Sequence, residues 1–77
     1  SLYARALAAR ERVLGAEHPH TLSSVNNLAY LYARQGRYDK AEPLYARALS
    51  GAEKVLGPDH PNTRIVRENL ARLRSLL

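Results

Sequence analysis

From Leu22 onward, apolar side chains fall at Leu22, Val25, Leu28, Ala29 and Tyr32, three or four residues apart. At about 100° per residue these positions gather on one stripe of an amphipathic helix, which is read as core. The opposite arc carries Ser23, Asn26, Asn27, Tyr30 and Arg34. Near the end of the chain the pattern returns. Val66, Leu70, Leu73 and Leu77 form a stripe, while Ile65, Glu68, Asn69, Arg72 and Leu76 take the directions of the polar arc.

The residues between the periodic segments predict where each helix stops and starts. Gly15 and Gly57 suit the left-handed position that ends a helix, and Pro19 and Pro61 suit the first turn of the next, where a missing N–H costs nothing. Gly36 ends the second helix in the same way. Asp39 followed by Glu42 resembles a capping box opening the third, with Pro43 tolerable only in that first turn. The expected helices are therefore 2–14, 19–35, 39–56 and 61–76. Only seven residues are Val, Ile or Thr, so strands are not expected. Turns of two to four residues restrict each helix to an antiparallel neighbour, and the fold class is all-α, a stack of helix-turn-helix units.

Internal repetition sharpens this picture. Shifted by 42 places, residues 2–35 align with residues 44–77, and 17 of the 34 pairs are identical. The identities form blocks: Leu2 to Leu7 returns as Leu44 to Leu49, Val13-Leu14-Gly15 as Val55-Leu56-Gly57, His18-Pro19 as His60-Pro61, and Asn27-Leu28-Ala29 as Asn69-Leu70-Ala71. A fixed period of this length marks a repeat architecture, here an α-solenoid fragment in which each unit buries its apolar face on neighbours. One unit, about 19–57, is whole, flanked by partial units 1–18 and 58–77 within a single domain of 77 residues. The stripe of Val66, Leu70, Leu73 and Leu77 is then expected to lie uncovered, and the first helix to be open on one side. Such ends invite association, so the chain is read as a slice of a longer array or as a self-associating unit.

Composition supports that reading. Of the 35 apolar residues 12 are Ala and four are Val, so the core is thin for a chain that hides only about 60% of its unfolded surface. There is no cysteine, which removes disulfides and thiolate metal sites as staples. The formal charge is +5, from 10 Arg and 2 Lys against 5 Glu and 2 Asp, which favours acidic partners. No apolar run approaches the 18 to 20 or so residues needed to span a bilayer, and a soluble, cytoplasmic protein without membrane contact is expected. Acidic side chains interleave with the arginines, so no long basic stripe forms and nucleic acid is not an expected partner.

The segment from Asn27 to Leu49 resembles a tetratricopeptide repeat. Leu28, Ala29 and Tyr32 match the family's first helix, Gly36 and Tyr38 its turn, and Ala41, Tyr45 and Ala48 its second helix. The 42-residue period and the Gly-x-x-His-Pro linkers are similar to the longer variant found in kinesin light chains and many bacterial proteins. Val25 stands where the family often has Trp, a smaller anchor that implies a less filled core. The resemblance implies a non-catalytic interaction scaffold with no cofactor. Its concave face would receive a peptide along Ser23, Asn26, Asn27, Tyr30, Arg34, Glu68, Asn69 and Arg72. Asn27 and Asn69 are the best single candidates, since an amide can match a peptide group; the alternative is a helix-to-helix hydrogen bond. Arg34 and Arg72 are either bidentate donors to acidic side chains or solvated surface charges. His18 and His20 sit two apart, a weak hint of a metal, but His18 and His60 travel with the turn, and that repetition assigns these two to the linker, bonding a helix end rather than a metal. No nucleophile, acid or base constellation is present to suggest an enzyme.

Overall fold

The computed structural model describes residues 2–77, so Ser1, where the expected first partial unit begins, lies outside the described residues. Four helices follow one another: α1 (Leu2–Leu14), α2 (Pro19–Arg34), α3 (Tyr38–Val55) and α4 (Pro61–Ser75). They form a slab of 33 × 31 × 15 Å in which α2 and α3 share the most extensive contact. The expected ends agree with these bounds to within one residue.

The turns explain those bounds. Gly36 has φ of 75°, a region that costs an L side chain steric strain, and it closes α2 with two bonds. The Gly36 N–H donates to the Ala33 carbonyl at 3.0 Å, and the Arg37 N–H reaches back to the Tyr32 carbonyl at 2.9 Å. At the start of α2, His18 is the cap: its Nδ1 accepts the N–H of His20 at 3.1 Å. His60 repeats the device on α4, with Nδ1 accepting the N–H of Asn62 at 3.0 Å. Each imidazole satisfies one of the orphan donors of a helix start, beside a proline that has no N–H to satisfy.

The start of α3 differs from the expected capping box. Arg37 is the cap residue and makes no side-chain bond, while Asp39 already lies inside the helix. Because the bond from Arg37 to Tyr32 closes α2 directly ahead of Tyr38, the chain enters α3 one residue early. Glu42 is used elsewhere, accepting from Arg74 Nε at 3.4 Å. Pro43 consequently lies beyond the first turn, inside the helix.

Small residues set the helix spacing. Ala29, Ala41 and Ala48 are fully buried, and a Cβ built on Gly51 would meet Leu22 Cδ2 at 2.6 Å. Around these close approaches the core forms two clusters. Leu7, Val25, Leu28, Ala48 and Val66 make one, and Ala29, Ala41, Tyr45, Leu70 and Leu73 the other. Val25 is fully enclosed, with 0% exposure.

The expected open stripe on the last helix is corrected here. Val66, Leu70 and Leu73 are 7%, 3% and 3% exposed, and only Leu77, beyond α4, is open at 69%. The reason is packing order: α4 lays its apolar stripe onto the preceding hairpin, so the stripe is consumed by Ala48, Tyr45 and their neighbours. The first helix is open as expected, with Leu2 and Val13 about four-fifths exposed (79% and 80%).

Two stability measurements test this account. Val25→Ala should lower unfolding free energy by about 1.5–3 kcal/mol through lost methyl burial and a residual cavity, read as a lower urea midpoint. His60→Ala should cost about 1 kcal/mol, a melting-temperature drop of about 4–8 °C, while His60→Asn, which keeps an acceptor, should recover most of it.

Candidate peptide-binding groove

One face of α2 and α4, floored by α3, carries two hollows. The first, about 180 Å³, lies between Pro19, Leu22, Asn26, Leu56, Ile65 and Val66. It is apolar at its base and bordered by Ser23, Asn27 and Asn62. The second, about 150 Å³, is walled by Tyr30, Arg34 and Tyr38 on one side and by Asn69, Arg72 and Leu76 on the other, with Tyr45 and Leu73 below. It has two guanidinium groups, three phenol rings and no carboxylate.

Between α2 and α4, Asn69 Nδ2 donates to Asn26 Oδ1 at 3.4 Å. On the α4 side, Arg72 Nη1 donates to Asn69 Oδ1 at 3.5 Å. The first of these long bonds joins the two helices and the second lies within α4, and both leave each amide further hydrogen-bonding capacity. The Arg34 guanidinium sits over the Tyr30 ring, 5.9 Å from its centroid, which orients a positive charge along the rim. Arg37 covers the Tyr32 ring at 4.9 Å on the other side of the turn.

Tyr45 is 2% exposed, and its phenol is held above the ordinary tyrosine value, first by burial and then by the neighbouring Tyr30, with Arg72 acting in the opposite sense. It therefore stays neutral as a buried hydroxyl beneath two cations.

Seven of the eight residues expected on the groove line one or both hollows. Ser23, Asn26 and Asn27 border the first, while Tyr30, Arg34, Asn69 and Arg72 border the second. Glu68 is exposed and lines neither hollow. It is the image of Asn26 one period on, at a helix with no further neighbour beside it in the structure. The alternative role considered for the repeated asparagines holds at Asn69, which bonds across to α2, whereas Asn27 is exposed. Ile65 and Leu76, on the same arc of α4, line the hollows too, whereas the floor and side residues Tyr38, Tyr45 and Leu56 lie outside the arcs expected to form the groove. For Tyr45 a signal existed in its repetition from Tyr3.

The histidines serve the turns. His18 and His60 cap helices, and the His18 and His20 rings stack with centroids 5.2 Å apart.

The resemblance in sequence now has a fold to match. The family model for the tetratricopeptide repeat matches residues 1–50 and again residues 22–77, so the two matches together span the chain. The chain belongs to the tetratricopeptide-repeat family. Repeats of this family form non-catalytic scaffolds that mediate protein–protein interaction. No match was found among curated proteins. Among the described residues, no helix of this tetratricopeptide-repeat chain is long and apolar enough to cross a membrane.

The raised phenol of Tyr45 has a consequence for stability. Below about pH 10 the phenol is neutral in both the folded and the unfolded chain, so its contribution is fully present there. As pH rises further, the unfolded chain loses the proton first, and the contribution is lost up to the higher value of the folded state. Between about pH 8 and pH 11 the urea midpoint of Tyr45→Phe should therefore fall less than that of the native chain.

Proposed function

We propose that this chain is a cytoplasmic interaction scaffold whose concave face holds a short peptide segment bearing an acidic side chain next to an apolar one. The observation that carries this reading is the pairing of the two hollows on one face. One has an apolar base, around Leu22, Leu56 and Ile65, beneath a rim of amides and a hydroxyl, and the other contains Arg34 and Arg72 with no carboxylate. A carboxylate in the second hollow would accept charge-assisted bonds from Arg72 or Arg34, the strongest polar contacts the face offers. The apolar side chain beside it would bury against Leu22 and Ile65. The asparagine bridge lies where a peptide backbone would cross, and its unused donor and acceptor capacity suits backbone amide groups.

The surrounding charge supports the same choice, since a net charge of +5 attracts an acidic segment before contact. The face is small, and ordering a flexible peptide opposes binding, so the affinity expected is micromolar or weaker.

A decapeptide containing Glu and Leu, titrated into the 15N-labelled chain, should shift the resonances of Ser23, Asn27, Tyr30, Asn69 and Arg72. Its Lys-for-Glu counterpart should not. Arg72→Ala should weaken binding about tenfold, the loss of one charge-assisted bond. Shifts confined to α1 or to the outer side of α3, or binding of the Lys peptide equal to that of the Glu peptide, would overturn the assignment.

A further inference from the structure

The residues that line the two hollows fix how far apart the hollows lie. On α2 the first is lined between Pro19 and Asn27 and the second between Tyr30 and Arg34; on α4 the first is lined between Asn62 and Val66 and the second between Asn69 and Leu76. The midpoints of these stretches differ by about eight or nine residues on either helix, which at 1.5 Å of rise per residue is about 13 Å. On α3 the order is reversed, with Ala52 and Leu56 at the first hollow and Tyr38 and Tyr45 at the second. The line joining the hollows therefore runs along the helix axes, with α2 and α4 as its banks.

The asparagine bridge stands between the hollows. Asn26 lines the first and Asn69 the second, both are half-buried, and their amides meet at 3.4 Å. A helical occupant, about 10–12 Å across with its side chains, would ride above that closed floor and bring backbone groups already bonded to one another. Eight residues of helix also span about 12 Å but turn the second side chain about 80° away from the first. An extended chain meets every condition. Its N–H and C=O groups are free for the amides of the bridge. At about 3.3 Å per residue, four residues cover about 13 Å, and the alternation of a strand returns residue i+4 to the face of residue i. Spacings of three or five send the second side chain to the opposite face, and a spacing of two reaches only about 7 Å.

We infer that the groove selects an extended segment in which an apolar and an acidic residue stand four positions apart, its backbone lying along α2 and α4 over the asparagine bridge. This inference rests on the peptide-binding reading above and adds its register: the two side chains are neighbours on the face but not in sequence. The apolar residue enters over Leu22 and Ile65, and the acidic residue meets Arg34 and Arg72. Neither arginine forms an ion pair among the described residues, and Glu68, one turn before Arg72, is exposed without pairing to it. The same alternation points the middle residue, i+2, down at the bridge, where the contact between Asn26 and Asn69 leaves room for a small side chain only.

The probes are decapeptides with one Leu and one Glu in an Ala and Ser background, three, four, five or eight positions apart and in both orders, titrated into the 15N-labelled chain. The four-residue spacing, in its better order, should bind about tenfold more tightly than the others, because only it engages both anchors. It should shift Asn62 and Ile65 at one end of the groove and Arg72 and Leu76 at the other. Trp at the middle position should weaken it severalfold. In an Arg34→Ala, Arg72→Ala variant, whose changes lie at exposed positions, the preference for spacing should vanish while weak binding through Leu persists. Equal affinity at every spacing, with shifts still in the groove, would overturn the register and leave the peptide-binding reading standing. Absence of shifts with every peptide would overturn that reading and the register with it. Tightest binding at eight residues would overturn the extended conformation in favour of a helix. Shifts at Tyr3 and Leu31, which flank a separate hollow beside α1, in place of Asn62 and Ile65 would show a peptide crossing the helices and overturn the inference as well.

Discussion

The close approach of α2 and α3 is the constraint on which the rest of the structure depends. It is made possible by residues that are nearly all backbone: Ala29, Ala41 and Ala48 at zero exposure, and Gly51 where any Cβ would collide with Leu22. With so little side chain between the helices, large residues are displaced to the flanks. There, Tyr45, Leu70 and Leu73 fill one side and Leu7, Leu28 and Val66 the other. A core assembled in this way is thin but continuous, and it lets α4 seat its stripe in the angle between α2 and α3. A side chain added at Gly51 would have to displace Leu22 from this seam.

The groove is a by-product of the same geometry. Because α2 and α4 both rest on α3, their outward arcs diverge and leave a trough, and helix packing brings Asn26 opposite Asn69, one residue off the 42-residue register, across it. The trough divides into an amide-rimmed end with an apolar base and a basic, phenol-lined end because the two units differ at their rim positions. Ser23 in one unit is Ile65 in the next, and Tyr30 is Arg72. Repetition supplies the shape, and the departures from repetition supply the chemistry. Surface ion pairs such as Glu11 with Arg47 contribute little to stability at their exposure, about 1 kcal/mol or less each.

Much of this was legible before any coordinates. Four helices, their glycine and proline boundaries, the core stripe of α2 and the helix-end role of His18 and His60 follow from local rules, because each depends on residues within a few positions of one another. The capping box at Asp39 failed for a local reason of a different kind: closure of the preceding turn by Arg37 moved the start of α3, and no motif at Asp39 could report that. The stripe of Val66, Leu70 and Leu73 was found correctly as a stripe but assigned the wrong environment. Periodicity identifies which side chains share a face and is silent on what that face meets.

The sequence by itself thus determined the helices, the period, the family and the residues that face one way together, since all are encoded by spacing along one chain. Only the tertiary structure decided which faces were covered. It placed Tyr45 beneath the groove and consumed the inner stripe of α4 in the core. Those outcomes depend on the order in which helices pack on one another, and burial of a face is a property of its neighbour as much as of itself.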